Sequence, residues 1–248
     1  LSSWVNEDRG RKRLASLDVL EQSFAEGRIP DLEGNRTLHR VSINNARAMM
    51  NSEHLAAFNV SDHPASEREM FGNTPFGRGC LAAINLVEAG VRCVEVTLNG
   101  WDTHINNHQG HQKQKDILDP ALASLIRGLK ERELYDDTIV LVGTEFGRTP
   151  KLNVTEGRDH WPHGFSVLLG GGGLRGGLTL GETDPSGEKR EPARRIAIDD
   201  IHATILHALG IDFESELVTP IGRPLPLSEG RLIRELIFSK YFDLYHLR

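Results

Sequence analysis

Five of the eleven histidines of this 248-residue chain fall in two short stretches that also carry carboxylates. The first stretch is Asn99-Gly100-Trp101-Asp102-Thr103-His104, with His108 and His111 close behind; the second is Gly157-Arg158-Asp159-His160-Trp161-Pro162-His163. Between them lies Gly143-Thr144-Glu145-Phe146-Gly147-Arg148-Thr149-Pro150. Imidazole and carboxylate together suit a borderline-hard divalent ion such as zinc or manganese, and no nearby cysteine suggests a thiolate structural zinc. Such an ion polarises an ester oxygen, lowers the pKa of a bound water and offsets charge on a phosphoryl or sulfuryl group. The candidate ligands are Asp102, His104, Glu145, Asp159 and His160, with His163 close enough in sequence to replace His160. Glu145 is also a candidate general base, and Arg148 a candidate clamp for an anionic oxygen.

Each residue has a plainer reading. Asp-Thr-His is common in turns that end in a surface histidine. Glu145 after a strand can cap the next turn or pair with Arg148, and His160 beside Trp161 can be a core histidine. His108 and His111 read as outer groups or helix-start residues, and His202 and His207 as structural residues of a late helix. What favours joint action is that all three loops fall at the ends or entries of expected strands, where open parallel sheets gather ligands.

Those strands come from the hydrophobic pattern. Apolar residues at helical spacing predict helices over about Asp8 to Glu26, stopped by Gly27 and Pro30, over Leu38 to Met50, and briefly around Glu53 to Phe58. After Pro75 a helix through Cys80, Leu81, Ile84, Leu86 and Val87 ends at Ala89-Gly90, and Val91 to Leu98 alternates as a strand aimed at Asp102. An amphipathic helix carrying Leu118, Leu122, Leu125 and Leu129 leads to the buried-strand run Thr138 to Thr144, then a strand over Phe165 to Leu169. Short strands are expected at Leu178 to Leu180 and Arg195 to Ile198, and a helix from Ile201 to Leu209, capped by Asp199-Asp200. Helix alternating with buried strand predicts an α/β fold with a parallel central sheet and flanking helices. Residues 1–74 are expected as a helical segment packing on the core, and 75–248 as the core.

Composition narrows the partners. A formal charge of −6 offers no basic footprint for nucleic acid, and no apolar run approaches the ~20 residues of a membrane span. Small anionic substrates would need a local positive site. Two cysteines, Cys80 and Cys93, are too few for a disulfide scaffold and sit in apolar patterns that suggest buried thiols. The glycine run Gly170 to Gly173 lacks the lysine-serine pair of a phosphate loop. The triplets beginning at Asn35, Asn59 and Asn153 match a glycosylation pattern that arises often by chance.

At Gly100 to His104, Gly143 to Pro150, Gly157 to Trp161 and Gly181-Glu182-Thr183-Asp184, the chain resembles the family known as domain of unknown function 1501, from about Ala46 to Ile237. That family is grouped by fold with alkaline phosphatases, arylsulfatases and cofactor-independent phosphoglycerate mutases. The resemblance implies an alkaline phosphatase-like core and a divalent metal, zinc, manganese or calcium. It also implies a metal-dependent hydrolase of phosphate or sulfate esters, with a non-catalytic member of the same fold as the alternative. Asp102 and His104 resemble the superfamily's first ligand pair, with His108 as a rival, His160 or His163 its late histidine, and Glu145 the aspartate of its Asp-His-Gly motif. Phe146 replaces the second-metal histidine. The superfamily's nucleophile has no counterpart among Ser2, Ser3 and Cys80: either the first strand of the fold lies upstream of Leu1 in a longer precursor or this branch has lost covalent chemistry, and the missing Met and the strandless opening favour the first. The resemblance also implies a periplasmic or extracellular setting.

Overall fold

The computed structural model describes residues 7–25, 38–50, 52–219 and 222–238. The chain divides into two compact units, Leu1–Asn59 and Val60–Arg248. The first holds α1 (Glu7–Ala25), α2 (Leu38–Met50) and a 3-10 helix at Glu53–Phe58. These fall where the apolar spacing places helices; the expected stop at Gly27 and Pro30 lies outside the described residues. The 3-10 turn is started by Ser52, whose hydroxyl accepts the His54 amide at 3.2 Å.

The second unit is organised by two packed helices. After a short α3 (Ala65–Met70), α4 (Pro75–Glu88) opens with Thr74 as N-cap, accepting from the Gly77 amide at 3.0 Å, and with Pro75 in the first turn, where a missing N–H costs nothing. Its buried face, Cys80, Leu81 and Ile84, meets Ala121 and Leu129 of α5 (Asn107–Glu131), with Phe71 and Val140 completing the cluster. Gly128 lets the helices approach closely, since a Cβ there would meet Ile84 Cδ1 at 2.6 Å. Burial of a side chain such as Leu81, 1% exposed, stabilises the unit by roughly 1.5–3 kcal/mol. Burial also pushes the Cys80 thiol up to about 11.

The strands are β1 (Ile139–Val142), β2 (Gly147–Arg148), β3 (His160–Trp161), β4 (Leu168–Gly171), β5 (Glu216–Val218) and β6 (Pro224–Pro226). They pair as three two-stranded antiparallel sheets: β1 with β4, β2 with β3 and β5 with β6. The fold is thus mixed α/β, but the expected parallel central sheet is not formed among the described residues. The cause at β1 is its connection. A parallel return needs a crossover, usually a helix, whereas residues 143–167 hold the β2–β3 pair and no helix, so β4 comes back antiparallel with Val140 opposite Gly170.

The segment from Val91 to Leu98 keeps the strand alternation without a ladder. Val94, Val96 and Leu98 are half-buried while Cys93, Glu95 and Thr97 are exposed. Val96 packs on the core beside α4, so the pattern records which side the helices cover. It also corrects the reading of Cys93 as buried, because its parity places it outward. Leu178 to Leu180 and Arg195 to Ala197 join no ladder, and Ile198 instead begins α6 (Ile198–Ala208). Asp200 secures that helix start by accepting from the Ala197 amide at 2.9 Å. Among the described residues no helix is long and apolar enough to cross a membrane.

Candidate metal centre

Two loops meet in front of α5. The first, residues 99–106, is held by Thr103, which is 7% exposed and whose hydroxyl accepts from Asn107 Nδ2 at 2.7 Å. Asp102 and His104 flank this anchor, and both are exposed. The second loop runs from β2 to β3, whose register sets Arg148 opposite His160. The loops are joined main chain to main chain. Arg158 N donates to Thr103 O at 3.0 Å, Asn106 N to Thr155 O at 3.1 Å and Asn107 N to Glu156 O at 2.9 Å. The last bond supplies an acceptor to an N–H at the start of α5, where no intrahelical partner exists. A Cβ at Gly157 would overlap the His104 carbonyl, so glycine is required for this approach.

The consequence is a compact triangle of donor atoms. Asp102 Oδ1 lies 3.1 Å from His104 Nε2 and 3.0 Å from His160 Nε2, and the two Nε2 atoms are 3.2 Å apart. Tetrahedral zinc with bonds of ~2.0–2.1 Å has donor atoms ~3.3 Å apart, so the triangle matches one face of such a site. Among the described residues, Asp102, His104 and His160 form the one group of three or more side chains suited to hold a metal ion. The donor chemistry fits as well, since neutral imidazole and carboxylate are the ligands a borderline-hard divalent ion takes.

Surrounding groups fix these three. Asp159 Oδ1 sits 2.7 Å from His104 Nδ1 and is an acceptor for a proton there; with that proton on Nδ1, Nε2 has its lone pair available for a cation between it, Asp102 and His160. Arg148 Nη2 donates to Asp102 Oδ1 at 2.6 Å and Nη1 donates to Arg158 O at 3.0 Å. The Arg148 hydrogen bond, followed by that from His160, holds the Asp102 carboxyl at about 2, well below the ordinary 3.8. Asp159 is likewise lowered, first by its bond to His104 and then by Asn153. Phe146 walls one side, its ring centroid 4.3 Å from that of His160.

The candidates therefore divide. Asp102, His104 and His160 converge, Asp159 stands behind His104, and Arg148 is engaged with Asp102. Glu145 lies exposed on the turn after β1, outside the triangle. His163 is also outside it, half-buried and edge-on to Trp161 at 5.6 Å between centroids. His108 is exposed, whereas His111 packs edge-on against Trp101 at 5.3 Å, where burial lowers its pKa.

One organising residue escapes a reading by ligand type. Asn153 looks in sequence like part of a chance glycosylation triplet. In the structure its Oδ1 accepts from Thr155 N at 3.0 Å and Gly157 N at 2.8 Å, while its Nδ2 donates to His104 O at 3.0 Å and Asp159 Oδ1 at 3.2 Å. The available signal was local: an asparagine followed four residues later by glycine suits a side-chain-closed turn.

A family model described as protein of unknown function (DUF1501) matches residues 2–237, nearly the whole chain. The chain belongs to the DUF1501 family. All the residues of the triangle and its surrounding groups lie inside the matched range of this DUF1501 chain. Searches of curated proteins and of solved structures found no match.

Proposed function

We propose that this DUF1501 chain is a metal-dependent hydrolase of phosphate or sulfate esters, built on the alkaline phosphatase/sulfatase pattern. Asp102, His104 and His160 would hold one divalent ion, zinc, manganese or calcium. The single observation that carries the reading is the triangle of Asp102 Oδ1, His104 Nε2 and His160 Nε2 with edges of 3.0 to 3.2 Å. A bound divalent ion supplies Lewis acidity toward an ester oxygen and a bound water of lowered pKa.

The chain's own residues do the rest. Asp159 keeps the His104 proton on Nδ1, and Arg148 keeps Asp102 ionised and aimed at the histidines. The three ligand side chains are 44–67% exposed, which leaves a face open to a small anionic ester. Arg148, only 15% exposed and bonded to Asp102, serves that carboxylate first. Glu145, exposed beyond β1, is the carboxylate left for proton transfer. An exported setting belongs to this same proposal.

The test is metal analysis of protein purified without chelator, followed by assay of aryl phosphate and aryl sulfate with zinc, manganese or calcium. Turnover that disappears in Asp102→Ala and His160→Ala supports the reading; no turnover with any metal contradicts it. A non-catalytic member of the same fold is the second reading, favoured by the direct Arg148–Asp102 contact at 2.6 Å, which ties the loops together without a metal. On that reading added metal leaves thermal stability unchanged, whereas a ligand of the folded state at a hundred times its Kd adds ~2.7 kcal/mol.

A further inference from the structure

We propose that Asn153 is a positioning residue of the metal site, its side-chain amide holding both the backbone of one ligand and the carboxylate that orients that ligand's ring. The inference rests on the metal-site reading and extends it to a residue outside the triangle.

The orientation of the amide is fixed by its neighbours. Its oxygen faces the N–H groups of Thr155 and Gly157, at 3.0 and 2.8 Å, which can only donate. Its nitrogen faces the His104 carbonyl at 3.0 Å and the Asp159 carboxylate at 3.2 Å, which can only accept. The NH2 group has two hydrogens and meets two acceptors, so its donor capacity is filled. Asp159 is 54% exposed, and a single hydrogen bond from His104 leaves an exposed carboxylate free to rotate toward water. The second bond, from Asn153 to the same Oδ1, removes that freedom and sets the oxygen 2.7 Å from His104 Nδ1. One amide thereby fixes the position of His104 through its carbonyl and its tautomer through Asp159. Thr155 shares the first of these tasks but not the second, its hydroxyl lying 2.8 Å from both Asn153 Oδ1 and His104 O with no contact to the Asp159 carboxylate.

Outer partners of metal-bound histidines typically matter by 10–100-fold in metal affinity. Asn153→Ser keeps a short oxygen that can close the turn but cannot reach Asp159, whereas Thr155→Val removes the hydroxyl's bonds to the turn and to the His104 carbonyl and leaves the amide and its bond to Asp159 in place. Zinc affinity by calorimetry and the visible spectrum of the cobalt-loaded full chain are read for wild type and both variants. The expected result is zinc binding 10–100-fold weaker in Asn153→Ser, with an altered cobalt spectrum, and a clearly smaller loss in Thr155→Val, which keeps the bond to Asp159. Equal affinities in Asn153→Ser and wild type overturn the proposal, and so do equal losses in the two variants, which would assign the effect to the turn. A metal-free readout separates this from the site itself. The nitrogen NMR shifts of His104 report the Nδ1–H tautomer in wild type and a tautomer mixture in Asn153→Ser. A wild type that binds no metal but shows this tautomer change contradicts the metal reading alone; an unchanged tautomer contradicts the role of Asn153.

Discussion

Asp159 Oδ1 lies 2.7 Å from Nδ1 of His104, the ring nitrogen opposite the one that meets Asp102 and His160. In sequence Asp159 counts as a candidate ligand beside His160; in space it is placed to orient the candidate ligand His104. The difference follows from antiparallel β2–β3 pairing, which sets His160 opposite Arg148 and beside Asp102.

Asp159→Asn replaces the acceptor of the His104 proton with a weaker one and is expected to weaken zinc binding 10–100-fold. Because Asp159 is 54% exposed, the circular dichroism spectrum and unfolding midpoint should stay near wild type. Zinc calorimetry on the variant decides the point, and an unchanged affinity would remove Asp159 from the site.

The depressed carboxyl of Asp102 gives a pH prediction. A group held at about 2 when folded, against 3.8 ordinarily, favours the folded loops above pH 3.8 and loses that contribution as pH falls toward 2. Carbon NMR titration of Asp102 should show a midpoint near the lower value. Since Arg148 is the first cause, Arg148→Ala should move the midpoint up toward 3.8.

Gly157→Ala puts a methyl group where the His104 carbonyl lies. The second loop must withdraw, and with it the bonds from Asn153 and Thr155 to His104 O. The expected outcome is loss of zinc binding with helix content intact, read by calorimetry alongside far-ultraviolet circular dichroism.

Leu81→Ala opens a cavity between α4 and α5 and should destabilise the second unit by about 2–5 kcal/mol. Urea unfolding measures this. Leu81 is 1% exposed and belongs to the helix core rather than to the site loops, so metal affinity should hold in the fraction still folded.

The helices are legible in the sequence because periodicity, caps and stops agree. Thr74-Pro75 starts α4, and Gly90 follows its end at Glu88. The alternation of Val91 to Leu98 correctly reports a covered side and an open side, but not a ladder, because alternation reflects burial and a ladder requires a neighbour. The antiparallel return of β4 is hidden because a parallel and an antiparallel strand can share the same apolar run. Asp102, His104 and His160 stand out by residue type and by their grouping in two short stretches of histidine and carboxylate. Asn153 does not, since an amide that organises other side chains through hydrogen bonds carries no mark of ligand chemistry.

If Asp102, His104 and His160 hold one divalent ion, equilibrium dialysis of chelator-free protein against zinc, with metal and protein quantified together, will find one zinc per chain in wild type and none in His160→Ala, with the variant otherwise folded. Wild type that takes up no zinc, or His160→Ala that retains it, would mean that these three side chains do not form a metal site.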